Sequence, residues 1–233
     1  MQKITENDKA RLGLTLALGM LVTLWRVLLP TNVEITTSIV ILVAVLDIVL
    51  TAAVISLNKK ELKEIFARKF GIKGFLKVIL CFVLLFFFLE LAMRLIQVVL
   101  LLGYRMPITI SAILNQYITF DPSPANWVAT EFHRVFPLGP FVSLAIAAPV
   151  WEEIVFRMAG RNLIKNTFLY LLITTLLFGF IHTGSFLTFS IISYLVLGLG
   201  YALIYLKTKD VRIVIAVHFL ANFIGRIMAV MYQ

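Results

Sequence analysis

With 233 residues, 61% of them hydrophobic, and a mean hydropathy of +1.00, the chain has too little polar surface to cover a soluble domain. Charged residues make up only 14% and gather between long apolar runs, the pattern of an all-α, polytopic membrane protein. The net charge of +9 does not point to nucleic acid, because no soluble basic domain exists to carry such binding. Basic loops retained on the cytoplasmic side of a lipid bilayer account for it instead. The lone cysteine, Cys81, excludes an intrachain disulfide and a thiolate metal cluster.

Taken in chain order, apolar stretches of about 20 residues, the length that crosses about 30 Å of hydrocarbon, fall at 12–30, 35–57, 75–102, 138–161, 167–183, 186–205 and 212–231. That predicts seven spans. An eighth candidate, 105–120, is broken by proline, serine, threonines, asparagine and glutamine and reads better as an interfacial or re-entrant piece. The first run ends in WRVLLPTNVE rather than at a small-residue cleavage site, so it is expected to remain as a span. Three regions follow: 1–105, membrane helices without a motif; 106–137, an external loop or interfacial segment containing DPSPANW; and 138–233, a helix bundle holding the polar residues discussed below.

Orientation follows from lysine and arginine. The N-terminal tail, the 58–77 segment with its seven basic residues, the turn bearing Arg157, Arg161 and Lys165, and the turn bearing Lys207, Lys209 and Arg212 all fall on one side of a seven-span arrangement. The opposite loops hold only Arg105 and Arg134. A multi-pass protein of the cell membrane with a cytoplasmic N-terminus is the expectation.

Against this background the stretch PVWEEIVFRMAG, residues 149–160, stands out. A carboxylate at the centre of a spanning helix costs about 2.5–3.5 kcal/mol, and here Glu152 and Glu153 are adjacent. Glu153 and Arg157 are four residues apart with the acid first, the favoured order for an ion pair on one helix face. Glu152, about 100° around the helix, has no such partner on its own helix and is expected to face a cavity. His182 and His218 also fall within spans, unlike His133 in the external segment. His218 and Asn222 share a face at a spacing of four, as do Phe178 and His182. At about 1.5 Å per residue these groups lie at uneven depths, spread around the midplane, and helix tilt must bring them together.

Other intramembrane charges have simpler readings. Glu90 and Arg94, four apart, form a self-neutralising pair; Arg26 sits near a helix end and can snorkel, Arg226 can do the same or reach inward from the face of Asn222, and Asp47, without a local partner, is left to an arginine on another helix. A carboxylate, two histidines and a carboxamide around one pocket suit hydrolysis. The carboxylate takes a proton from water and later delivers it to the leaving amine, while imidazole and carboxamide donate to the oxyanion. The same residue types, Glu152, His182 and His218, also suit a zinc ion with water in the fourth position, although H-E-x-x-H is missing.

Together, E-E-x-x-x-R (Glu152, Glu153, Arg157), F-x-x-x-H (Phe178, His182) and H-x-x-x-N (His218, Asn222), in that order on successive apolar segments, resemble the CAAX protease and bacteriocin-processing (Abi) family of intramembrane proteases. The resemblance covers about residues 145–225 and departs at no defining position. It implies an all-helical endopeptidase with its active site inside the bundle, acting on a membrane-associated peptide or protein. Glu152 would activate water, His182 would help hold it, and His218 and Asn222 would stabilise the oxyanion; Glu153, Arg157 and Phe178 would support them. Family members are described both as metal-dependent and as metal-free; the metal-free glutamate mechanism is favoured and zinc stays open. A non-catalytic bacteriocin-immunity or regulatory protein on the same scaffold is the alternative. A proton-coupled transporter is disfavoured because no paired halves are detectable. Nothing in the residues indicates substrate identity or oligomeric state.

Overall fold

The computed structural model describes residues 5–28, 37–104, 146–183 and 191–231. Described helices are α1 (Glu6–Leu28), α2 (Thr37–Leu57), α3 (Lys59–Ala67), α4 (Gly71–Tyr104), α5 (Ala148–Glu152), a π-helical stretch Glu153–Ala159, α6 (Gly160–Leu163), α7 (Thr167–Thr183), α8 (Ile191–Thr208) and α9 (Val211–Met231). No strand occurs among the described residues. The helices track the predicted apolar runs closely. The 105–145 segment, with the candidate eighth span, DPSPANW and His133, lies outside the described residues, as do the side chains of Arg26, Asp47 and Arg226.

Local signals set the helix ends. Thr5 and Asp8 form a reciprocal cap on α1: the Thr5 hydroxyl and amide donate to Asp8 Oδ2 (2.8 and 3.2 Å), and the Asp8 amide donates to Thr5 Oγ1 (3.2 Å). These bonds hold the Asp8 carboxyl below the ordinary carboxylate range. Asn166 Oδ1 accepts the Leu169 amide (3.0 Å) at the start of α7, and Asp210 Oδ1 accepts the Arg212 amide (3.1 Å) at the start of α9. Between α3 and α4 the backbone turns at Gly71, whose φ of +53° suits a residue without Cβ.

A buried knot ties the first two helices to the basic α2–α4 region. Asn58 Nδ2 donates to Thr15 Oγ1 (3.0 Å) and to the Val54 carbonyl (2.9 Å), and both Asn58 and Thr15 are fully buried. Beside it the Arg11 guanidinium grips the Glu61 carboxylate with both Nη atoms and donates to the Leu57 carbonyl (3.1 Å).

The 148–163 rod is the centre of the bundle. Every residue from 151 to 160 is buried, as expected for a helix apolar nearly all round. It is packed by α1, α2, α7, α8 and α9, while α4 packs outside on α8 and α9. Close approach depends on small residues: a Cβ on Gly19 of α1 would lie 2.7 Å from Val155 Cγ1. On α4 the converse holds. Phe87, Ile72, Leu76, Leu84 and Leu80 are each more than half exposed, an apolar surface of the kind that faces lipid in a membrane helix. The pair Arg94 Nε–Glu90 Oε1 forms at 2.6 Å on that exposed helix.

By length and composition, Gly71–Ile96 and Ile191–Thr208 suffice to cross a bilayer, and Ile48–Leu57, Thr167–Thr183 and Val211–Gly225 are shorter apolar helices. The molecule is a helical membrane protein.

One difference from the sequence expectation concerns the central rod. A continuous α-helix is predicted over 138–161, yet Glu153–Ala159 is π-helical. Its i→i+5 turns are wider and occur frequently at functional sites. Here the widened turns accommodate Phe156 and Arg157, both wholly buried, between the surrounding helices.

Candidate active site

Glu152 closes α5 and Glu153 opens the π-helical stretch, so the two carboxylates leave the rod in different directions. Glu153 Oε2 lies 3.1 Å from Arg157 Nε, with both side chains fully buried. The charges are in contact but their alignment falls short of a hydrogen bond, so the pair acts mainly through Coulomb attraction. Arg157 Nη2 donates to the Gly198 carbonyl (3.2 Å), and the guanidinium carbon sits 4.8 Å from the Phe178 ring centroid, with Phe156 and Tyr201 further out. Cation–π contact therefore supplements the ion pair.

Glu153 has a second duty that spacing alone does not reveal. Its Oε1 is 2.9 Å from His218 Nδ1, within hydrogen-bond distance. With Glu153 held as a carboxylate beside Arg157, Nδ1 is the donor. The other imidazole nitrogen, Nε2, then faces Glu152 Oε2 at 3.9 Å. His218 is thus wedged between the two adjacent glutamates, one on each ring nitrogen.

His182 is arranged in parallel. A carbonyl can only accept, so Nδ1 carries a proton and donates to the Phe178 carbonyl at 2.8 Å, one turn earlier on α7. Its Nε2 faces Glu152 Oε2 at 3.7 Å. Both imidazoles are therefore anchored through Nδ1 and present Nε2 to one oxygen of Glu152. The two separations exceed a direct hydrogen bond. Glu152 itself is 2% exposed. Asn222 lies one turn beyond His218 on α9 and is half-buried.

Phe178, expected only to support His182, is the packing hub. It tilts against His182 (4.4 Å between centroids) and meets His218 and Tyr201 edge-on (both 5.8 Å). Two further residues escaped the sequence reading. Tyr194 stacks on His182 and Tyr201 stacks on His218, each at 4.5 Å and 22°. Their signal was present: Tyr194, Gly198 and Tyr201 recur at i, i+4 and i+7, one face of a helix.

Zinc ligands at 2.0–2.2 Å in a tetrahedron lie about 3.4 Å from one another. The Glu152–His182 and Glu152–His218 atom pairs are wider than that, and no three His, Cys, Asp or Glu side chains among the described residues make a ready metal set. The anchored Nδ1 atoms resemble the outer partners of metal-bound histidines, but they orient an imidazole equally well for hydrogen bonding.

A buried carboxylate–histidine cluster inside a helical membrane bundle defines a class of site, and comparison with known proteins shows which family this region is similar to. Residues 134–224 match the family model described as type II CAAX prenyl endopeptidase Rce1-like. That match bears out the resemblance carried by the three motifs: the chain has the signature of the CAAX protease and bacteriocin-processing family. At family level it supports a CAAX-type intramembrane endopeptidase. The chain is also 27% identical over 167 residues to the UPF0177 protein YaiH of Lactococcus lactis subsp. lactis (strain IL1403), covering 68% of this chain and 69% of that protein. No solved structure matches it.

Proposed function

We propose that the protein is a multi-pass intramembrane endopeptidase of about seven spans, with a cytoplasmic N-terminus, that cleaves a membrane-associated peptide or protein with water activated by Glu152. One observation carries the reading: the Nε2 atoms of His182 and His218 converge on the same Glu152 oxygen, at 3.7 and 3.9 Å. With Nδ1 engaged on each ring, the two Nε2 atoms are the ones that face a water held beside Glu152.

In the proposed reaction Glu152 removes a proton from that water as its oxygen attacks the scissile carbonyl. The C–O bond forms and the carbonyl electrons move to oxygen. Asn222 donates its amide N–H to this oxyanion. Because Nδ1 of His218 is spent on Glu153, His218 joins as an oxyanion donor only in its doubly protonated form; when neutral, it orients the water instead. Collapse of the tetrahedral intermediate breaks the C–N bond, and Glu152 returns its proton to the leaving amine. The scheme routes no step through a metal.

Comparison of the peptides in membranes and medium from cells carrying wild type, Glu152→Gln or no protein, at matched expression, tests the reading. Specific products that vanish equally in the variant and the null are the expected result. A Glu152→Gln protein that yields the wild-type peptides and restores any wild-type phenotype would transfer the function to the non-catalytic scaffold.

A further inference from the structure

Helix α8 lies in none of the three motifs, yet its 194–198–201 face touches four of the seven residues that they name: Arg157, Phe178, His182 and His218. Tyr194 lies against His182, Tyr201 against His218, the Gly198 carbonyl accepts Arg157 Nη2, and the bare Cα of Gly198 leaves room for Phe178, which a Cβ would approach to 3.1 Å. We propose that Tyr194 and Tyr201 are positioning residues that set the ring planes of the two histidines, so that both Nε2 atoms point at Glu152. This inference rests on the protease reading for its kinetic consequences, but not for its geometry.

The physical need is clear. The Cβ tether and one hydrogen bond at Nδ1 hold an imidazole only loosely in tilt, because its χ2 torsion is broad. A flat aromatic face at stacking distance removes that swing. His182 has such a face from Tyr194 at 4.5 Å, and Phe178 tilts against it at 4.4 Å. His218 has Tyr201 at 4.5 Å, with only the edge of Phe178 at 5.8 Å. Offset stacking of this kind is favourable beyond the burial it brings. Because both tyrosines project from one helix, seven residues and so about 10 Å apart along its axis, they also hold the two imidazoles in register. A swing that displaces Nε2 by about 1 Å is of the size that costs a catalyst on the order of a hundredfold.

The tyrosine hydroxyls have no part in this role, which separates it from direct chemistry. Phenylalanine should substitute and leucine should not. The test uses the full chain in lipid nanodiscs with isotope-labelled histidine, since three histidines per chain keep the spectrum assignable. In Tyr201→Leu the His218 ring resonances should move, and in Tyr194→Leu those of His182; both Phe variants should resemble wild type. Cleavage of a farnesylated CAAX peptide should fall at least about tenfold in kcat in the Leu variants, with KM within about twofold and recovery in the Phe variants. Tyr194 is only half-buried and tolerates truncation better, so its pair of variants decides the matter if Tyr201→Leu does not fold. Ring resonances unmoved by leucine overturn the assignment, as does a Phe variant as slow as the Leu one. A wild-type protein that leaves the peptide uncut while its histidine resonances respond as described rejects this peptide as a substrate and leaves the ring-plane assignment standing; the protease reading itself is overturned by the peptide comparison under Glu152→Gln.

Discussion

Replacing Glu153 by glutamine probes the support beneath the proposed site. The change keeps the shape and keeps an oxygen able to accept from His218 Nδ1, but it removes the negative charge 3.1 Å from Arg157 Nε. Arg157 is wholly buried and cannot reach water. Removing one member of a buried pair typically costs about 3–5 kcal/mol. The Phe178, Phe156 and Tyr201 ring faces and the Gly198 carbonyl surround the guanidinium in both proteins, so they do not offset the loss. That loss is a large part of a typical total of about 5–15 kcal/mol. For a chain of this size it lowers the melting temperature by about 6–20 °C. Thermal retention of the monodisperse peak in mild detergent measures it. Replacing both residues, Glu153→Gln with Arg157→Met, removes the stranded charge and should recover most of the loss without restoring cleavage, because a packed apolar pair is often as stable as a buried ionic one. The reasoning is refuted if Glu153→Gln melts with wild type, or if the double variant melts below the single one. A stable but inactive Glu153→Gln beside an active Glu152→Gln would exchange the roles of the two glutamates.

Gly19→Ala puts a Cβ 2.7 Å from Val155 Cγ1, where Val155 is completely buried, so a loss of about 1–3 kcal/mol is expected. Val155→Ala in the same chain should relieve it, and equal melting of the single and double variants would dismiss the close packing of α1 on the central rod. Asn222→Asp should retain cleavage only while the new acid is protonated; full activity at a pH where it is shown to be ionised removes Asn222 as an oxyanion donor. Purified active protein is expected to carry far less than one zinc per chain. Stoichiometric zinc whose removal and return switch cleavage off and on would replace the metal-free scheme.

Much of the helical plan is legible in the residues. Runs of about 20 apolar side chains have few alternatives in lipid, where every backbone polar group must be satisfied within its own segment. Accordingly α2, α7 and α9 begin and end within about two residues of the predicted runs, within the usual scatter of helix ends. The Glu153–Arg157 and Glu90–Arg94 pairs were equally accessible, because a spacing of four on one helix is a local property. The π-helical stretch was not, since its widening answers to neighbours that crowd the rod. Nor was the link between Glu153 and His218, which are 65 residues apart and meet only because α9 packs on the rod. The stripe of Tyr194, Gly198 and Tyr201 was visible as a helix face, but nothing local says which partners that face meets.

By itself, then, the sequence determined the membrane character, the helices, the chemical inventory and the partners within single helices, all of which depend on composition and short-range spacing. Tertiary structure decided which nitrogen of each histidine faces which carboxylate, that one oxygen of Glu152 receives both imidazoles, and that a helix outside the motifs lines their ring planes. Those relations depend on the relative rotation and depth of separate helices. In an apolar solvent such rotation is set by small-residue contacts such as Gly19 on Val155 and by buried polar bonds between helices. Residues far apart in the chain share that information, so no single stretch carries it.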